Sequence, residues 1–370
     1  MAVEVKSKVE IKCDAQNLKQ ALIVAKSVVS KVHGSHIAYR NKVLCIPKGN
    51  NLLSIVAFNK EQLISCDVNA EVSGVESFVI PVNDVIKFIG KEKNVSISVK
   101  DKIELKAGSA EIQIFEFMKP EEYIYPKYQF TKEFELPDNF ISMLKILNKF
   151  KATEDSRPIL EGICLESDGK VLSMCAADGF RLAVADIKYE NTIDKIIIPG
   201  CACELLARYA VKEKVTVSIS EDKKTAKFTF ANITLETSLV SGKYFAYRIL
   251  IPTADKLAGA WKFDLNSPMF CQIIDRTMDE GSNIIKLVCE DKKTLKVTKG
   301  SEEYYAFFAE IPVNNCINSG HIAFNRNYLL DAAEPFTIMH CKITSPSEQI
   351  LITGDVEGLT VLIMPMFVQW

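Results

Sequence analysis

Lys195–Val240 reads "KIIIPGCACELLARYAVKEKVTVSISEDKKTAKFTFANITLETSLV". Ser77–Phe117 carries the same phrase as "SFVIPVNDVIKFIGKEKNVSISVKDKIELKAGSAEIQIFEF". A weaker version, "HIAFNRNYLLDAAEPFTIMHCKITSPSEQILITGDVEGLTVLIMPM", runs from His321 to Met366. Each reads as strand, short helix, then three strands parted by turns, because Val, Ile and Thr alternate with polar residues outside one helical stretch. A strand–turn–strand phrase precedes each: "NLLSIVAFNKEQLISCDVNAE", "VLSMCAADGFRLAVADIKYE" and "TLKVTKGSEEYYAFFAEIPV". A helix comes earlier still: "DAQNLKQALIVAKSVVS", "PDNFISMLKILNKFKA" and "NSPMFCQIIDRTMDEG". Asp14 and Asn266 suit helix N-caps, and Pro137 suits a first helical turn.

The chain is therefore predicted to be α+β, three tandem copies of one unit. Proline and turn residues in "KPEEYIYPKYQF" and "LIPTADKLAGAWKF" put the boundaries at 1–126, 127–254 and 255–370. The period is far longer than that of solenoid repeats, which points to duplicated domains, each large enough for its own core.

Composition sets limits on function. Of 370 residues, 48% are hydrophobic and 25% charged, an ordinary globular balance, and the net charge of −2 argues against a surface basic all over. No stretch is long and apolar enough to span a bilayer, and the N-terminal residues lack an apolar signal region, so a cytoplasmic protein is expected. The eleven cysteines are scattered, with one CxC at Cys201 and Cys203 and no CxxC. They read as small buried residues of a reducing compartment. His33, His36, His321 and His340 form no metal-binding pattern, so neither metal nor cofactor is expected. There is no P-loop, GxGxxG or GxSxG. Asp178-Gly179, with Arg181 after it, reads as a hairpin turn, and "TEDSRPI", with Glu154, Asp155 and Arg157, reads as a loop. No nucleophile–base pair can be nominated, and the chain is not expected to be an enzyme.

The helices carry a recurring charge pattern. Phe140, Met143, Leu144 and Leu147 form an apolar stripe, and Lys145 and Lys149 lie off it. Leu205, Leu206, Tyr209 and Ala210 form another, clear of Arg208 and Lys212. Lys87 opposes Val85, Ile86 and Ile89, while Lys19 and Lys26 flank Leu18, Leu22, Ala25 and Val29. Such faces are either plain solvated surface or phosphate contacts. No base-reading motif accompanies them, so any nucleic-acid contact is expected to be sequence-neutral.

Three tandem units, "SRPILEGICLE", "AADGFRLAVADI", "TSLVSGKYFAYRILIP" and the ending "VLIMPM" together resemble the bacterial DNA sliding clamp, the beta subunit of the replicative DNA polymerase. The likeness is strong from Ser156 to Pro252 and at the C-terminus, weaker in the third unit and weakest in the first, where "AFNKEQL" replaces the usual acidic turn. The resemblance implies a head-to-tail homodimeric ring, with helices lining the hole and antiparallel sheets outside. Double-stranded DNA would pass through it, and partners would be a DNA polymerase and an ATP-driven clamp loader. Lys19, Lys26, Lys87, Lys145, Lys149, Arg157, Arg208, Lys212 and Arg326 would face DNA, with Asp331 and Glu334 diluting the charge of the third unit. The dimer joint would place Ile112 opposite the stretch near Tyr305, Phe307 and Phe308.

The resemblance also accounts for "TVLIMPMFVQW", Thr360–Trp370, which holds no charged side chain. Val361, Leu362 and Ile363 read as a core strand. Met364, Pro365, Met366 and Phe367 are expected at a groove for partner peptides between the second and third units, with Leu160, Ala177, Gly179, Phe180, Arg181, Leu182, Phe245, Ile249, Leu250 and Pro346. Phe180 replaces a frequent histidine, and Ile249 and Phe367 replace basic residues, so a more apolar groove is expected. Trp370 would fold over it or hang free. A clamp-like adaptor that binds peptides without closing on DNA, and an unrecognised hydrolase, are the competing readings.

Overall fold

The structure, a computed structural model, describes residues 9–30, 39–115, 118–153, 157–278, 283–301 and 305–369. His33, His36, Glu154, Asp155 and Trp370 lie outside the described residues.

Capping fixes where several helices begin. Asp14 stays extended and its carboxylate accepts the Asn17 N–H at 2.8 Å, closing a strand and opening a helix. Asn266 does the same for the N–H of Met269, and Asn325 for those of Asn327 and Tyr328. The helix expected from Pro137 begins instead at Phe140. The backbone of Asn139 is not extended (φ −86°, ψ 3°), and its side chain makes no capping bond.

The first third of the chain holds β1 (Val9–Asp14), α1 (Ala15–Val29), β2 (Lys42–Lys48), β3 (Leu52–Phe58), β4 (Gln62–Ser73), β5 (Phe78–Pro81), α2 (Val82–Ile89), β6 (Asn94–Val99), β7 (Ile103–Ala107) and β8 (Ala110–Ile114). Next come β9 (Phe134–Glu135), α3 (Phe140–Leu147), β10 (Gly162–Asp168), β11 (Val171–Ala177), β12 (Arg181–Lys188), β13 (Thr192–Pro199), α4 (Gly200–Tyr209), β14 (Thr216–Ile219), β15 (Thr225–Phe230) and β16 (Ile233–Ser238). The rest is β17 (Trp261–Asn266), α5 (Ser267–Asp275), β18 (Ile284–Cys289), β19 (Thr294–Ser301), β20 (Tyr305–Pro312), β21 (Asn314–Ile317), β22 (Gly320–Asn325), α6 (Arg326–Ala333), β23 (Ile338–Ile343), β24 (Ile350–Gly354) and β25 (Leu359–Ile363). The order strand, helix, four strands, helix, three strands thus occurs three times, with β21 the one addition.

By packing, the chain forms two compact units, Met1–Asp138 with Leu205–Leu239, and Asn139–Glu204 with Val240–Trp370. The first holds one sheet, with the path β8-β7-β6-β1-β4-β16-β15-β14-β9 and with β2, β3 and β5 attached. The second holds the sheet β13-β10-β11-β12-β25-β24-β23-β17-β21 and a four-stranded sheet, β20-β19-β18-β22. Pairing therefore runs across both expected boundaries. β4 joins β16 with Gln62 opposite Thr237 and Cys66 opposite Ile233. β12 joins β25 with Arg181 opposite Ile363 and Ala185 opposite Leu359. Both junctions are antiparallel.

The apolar helix stripes are the buried faces. In α1, Leu18, Leu22, Ala25 and Val29 are buried and the helix packs on β3, β4 and α2. In α3, Phe140, Met143, Leu144 and Leu147 are buried and the helix packs on β11 and β12. Eight of the eleven cysteines are buried, and the described residues hold no disulfide. Burial pushes the thiols of Cys13, Cys66 and Cys164 up to about 12, so they stay protonated and behave as small apolar residues.

Asp14→Ala removes the capping acceptor and leaves the orphan N–H of Asn17 to water. It is expected to lower stability by about 1 kcal/mol, read as a shifted urea midpoint with unchanged slope.

Candidate functional site

An apolar cleft of about 270 Å³ opens in the second unit, lined by Leu160, Ala177, Gly179, Phe180, Arg181, Leu182, Phe245, Leu250, Gln349, Leu362 and Met364. One wall is the β11–β12 hairpin. Asp178 accepts the N–H groups of Phe180 and Arg181 at 2.9 and 3.0 Å through one carboxylate oxygen. Gly179 sits at φ +97°, a conformation that L side chains rarely adopt, and a Cβ there would lie 2.2 Å from the Arg157 guanidinium. Asp178 and Gly179 are thus turn-formers, and the turn presents the Phe180 ring, 58% exposed, at the cleft.

The second wall is the segment around Tyr247–Leu250, a 3-10 turn. Tyr244 and Tyr247 are buried in a core with Cys164, Cys175, Val184 and Leu362. The Tyr247 hydroxyl donates to Glu166 at 3.0 Å. Arg248 makes a two-pronged bond to Asp186 and donates to the Ser173 hydroxyl at 2.7 Å. The Asp186 carboxylate pushes the pKa of Arg248 upward, so the guanidinium stays charged. These anchors leave Phe245, Ile249 and Leu250 on the surface, Ile249 at 82% exposure.

The chain's end supplies the third side. Leu362 is buried and Met364 is 45% exposed, with its N–H donating to the Phe180 carbonyl at 2.8 Å. Beyond it, the Met366 N–H bonds to the Ala323 carbonyl at 2.7 Å. Val361, Leu362 and Ile363 are core, as expected of a last core strand. Pro365, Met366, Phe367 and Ile249 flank the cleft segments without lining it. Pro346 lines a separate cleft with Trp261, Cys289 and His321.

Arg181 lines the cleft, and each of its three guanidinium nitrogens has a partner. Its Nε bonds to Asp178 at 2.9 Å, one terminal nitrogen to Asp331 at 2.5 Å, and the other to the Lys149 carbonyl at 2.6 Å. The guanidinium lies 5.1 Å from the Phe150 ring centre and 4.4 Å from that of Tyr328. Tyr328 stacks on Phe180 at 6.4 Å. The cleft therefore carries little accessible charge, and Gln349, which donates to the Leu250 carbonyl at 3.0 Å, is its other polar side chain. Sequence reading missed Tyr328, Gln349 and Leu362. Tyr328 sits on α6 and Gln349 just before β24, far along the chain from the hairpin, and no local pattern marks either.

The nine cations fall into two groups. Lys26, Lys87, Lys145, Lys149, Arg157, Arg208 and Lys212 are exposed. Lys26, Lys87, Lys145 and Arg208 lie in the last turns of α1, α2, α3 and α4, where cations also suit the helix dipole. Lys149 pairs with Glu334. Lys19 donates to the Gly90 carbonyl and is half-buried. Arg326, with a side chain 12% exposed, turns inward to Thr277 at 2.7 Å and Asp275 at 3.5 Å.

Two of the strands that end sheets among the described residues are β8 and β20. β8 ends the path of the first unit's sheet, and Ile112 on it is half-buried. β20 ends the four-stranded sheet, with Phe307 half-buried and Phe308 73% exposed. Among the described residues, no group of three or more His, Cys, Asp and Glu could hold a metal ion, and no helix is long and apolar enough to cross a membrane.

Residues 138–245 match the family model for the DNA polymerase III beta subunit, central domain. The chain is 22% identical to the beta sliding clamp of Haemophilus influenzae over 342 residues, 87% of this chain and 92% of that protein. It is 24% identical to the beta sliding clamp of Bacillus subtilis over 275 residues, 71% of each. The solved DNA polymerase sliding clamp of Bacillus subtilis superposes with a TM-score of 0.86 at 19% identity, covering 98% of this chain and all of that one. A Pseudomonas aeruginosa sliding clamp bound to griselimycin gives 0.85 at 20% identity, covering 97% and 100%. The fold is that of the sliding clamps.

Arg181→Leu would strip the partner from Asp178, Asp331 and the Lys149 carbonyl together. We expect a loss of about 3 kcal/mol, with Arg181→Lys intermediate because it keeps the charge but not the fork. An unchanged urea midpoint for Arg181→Leu would show that the cluster does not hold the hairpin.

Proposed function

We propose that this chain, a relative of the bacterial beta sliding clamps, closes as a head-to-tail homodimeric ring around duplex DNA and tethers a replicative polymerase there. The observation that carries the reading is the unequal use of equivalent edges. In the threefold element order, β4, β12 and β20 correspond, as do β8, β16 and β25. β4 pairs with β16 and β12 with β25 at the same relative register, whereas β20 and β8 end their sheets. A second copy of the chain supplies the missing partner for each, and two copies leave neither edge open. Carrying the register over sets Ile112 opposite Phe307, since Leu235 faces Ile64 and Val361 faces Ala183 at the equivalent places. Each chain then contributes three clamp domains, 1–126, 127–254 and 255–370.

The helix cations are assigned to the DNA side. Lys26, Lys87, Lys145, Arg208 and Lys212 project into solvent and would meet phosphates through screened, exchangeable contacts. Such contacts carry no base information and let the duplex slide. Lys149 and Arg157 would add to them, while Lys19 and Arg326 are turned to their own protein and would contribute less. The protein acts without chemistry of its own: retention is topological, and a loader that uses ATP opens the ring.

The cleft of the second unit is assigned to short peptide segments of the polymerase and the loader. Its lining of Leu160, Leu182, Phe245, Leu250, Leu362 and Met364 suits aliphatic and aromatic anchors. Met364 can repack around different ones. With Arg181 occupied, the cleft offers little to an acidic peptide.

Retention on circular DNA tests the ring. After loading, the protein is expected to stay on closed circles and leave within one passage over a sizing column once the DNA is cut. Phe307→Asp, which sets a charge on the open edge, should abolish retention and give a monomer mass. Equal retention on cut and uncut DNA would instead favour a peptide-binding adaptor.

Met364→Ala and Leu250→Ala each remove an apolar cleft side chain. Each is expected to weaken binding of a fluorescent apolar-anchored peptide about tenfold. Val75→Ala, at an exposed position in the first unit, should leave it unchanged.

A further inference from the structure

Cys289 and Cys316 sit with their sulfurs 3.8 Å apart. Cys289 is the last residue of β18, in the four-stranded sheet, and Cys316 lies in β21, at the end of the nine-stranded sheet. The two strands share no backbone ladder. Cys289 also lines the cleft of about 400 Å³ that holds Trp261, Asn318, His321 and Pro346, and Cys316 is the half-exposed member of the pair.

We propose that Cys289 and Cys316 form a reversible thiol pair, oxidised to a disulfide by exchange with a low-molecular-weight disulfide. The two thiols differ in a way that orders the steps. Cys316 is half-exposed and donates weakly to the Asn318 carbonyl at 3.5 Å. Cys289 is 1% exposed, and burial with the neighbouring Cys316 sulfur pushes it up to about 11. The more accessible Cys316 thiolate therefore attacks one sulfur of the small disulfide, breaking its S–S bond and releasing one thiolate. Cys289 then loses its proton to solvent and attacks the Cys316 sulfur of the mixed disulfide. The Cys289–Cys316 bond forms and the second small thiolate leaves. Two protein thiols are oxidised, and one small disulfide is reduced to two thiols.

The product would tie β18 to β21, and so join the two sheets of the second unit at a place where no strand pairing does. β18 is also where Lys286 holds the chain's end, donating to the Gln369 carbonyl at 2.7 Å.

The test is incubation of the full chain with oxidised glutathione, followed by thiol counting and non-reducing peptide mapping. The wild type is expected to lose two of its eleven free thiols and to yield one linked peptide containing Cys289 and Cys316. Cys316→Ser should lose none at this place. Cys289→Ala should stop at a glutathione adduct on Cys316. Circular dichroism checks that both variants fold, and the wild-type map stands independently of them. An unchanged wild-type thiol count, or a link between other cysteines, overturns the proposal.

Discussion

Edge-to-edge antiparallel pairing is the interaction on which the rest of this structure depends. Each repeat carries a strand whose outer side is unsatisfied, and an unpaired strand edge in water is an invitation to association. Within the chain the problem is solved twice, by β4 with β16 and by β12 with β25. The same solution explains why packing does not follow the repeat. The sheet that begins in the first repeat continues through β16, β15 and β14 of the second, so those strands are counted with the first unit. Among the described residues, β20 of the last repeat has β19 as its one partner.

The cleft is a by-product of one of these junctions. The ladder between β12 and β25 brings Leu182 opposite Leu362 and delivers Met364 to the carbonyl of Phe180. A hairpin tip, a chain end and a tyrosine-anchored turn then meet over a shared core. Tyr244, Tyr247 and Arg248 point inward or bond to Asp186, Glu166 and Ser173, so they hold the second wall while its apolar residues stay on the surface. The satisfied polar tips of Tyr247 and Arg248 let an apolar surface persist without the turn collapsing onto it.

The repeat, the α+β class and the buried helix stripes were legible in the sequence, since they rest on periodicity over tens of residues. Asp14 and Asn266 were legible as caps because capping is local chemistry. Pro137 misled by a few residues: a proline is allowed in a first turn, but nothing local forces the turn to begin there. Most cleft residues came from resemblance. Pro346 went to another cleft, and Tyr328 and Gln349 were not legible at all, because their places depend on the β12–β25 pairing. The basic faces were legible as faces but not as free charge. Lys149 and Arg326 look alike in the sequence, yet one stands in solvent beside Glu334 and the other folds back on Thr277 and Asp275.

Arg181 ties these strands of argument together. By sequence it is an arginine beside an aspartate in a turn, the kind of pair that suggests catalysis. In the structure it joins the hairpin to the carbonyl of Lys149, just past α3, and to Asp331 of α6. Its neighbours Phe150 and Tyr328 cover both its charge and its ring-like plane, and Tyr328 passes the stacking on to Phe180 at the cleft. The end of α3, α6 and the hairpin therefore share one fastening. Each of the three Arg181 nitrogens is already engaged, which leaves the guanidinium less to give a ligand. Its contribution is to hold Phe180 where an apolar anchor can meet it, and this is how a charged residue comes to serve an uncharged cleft.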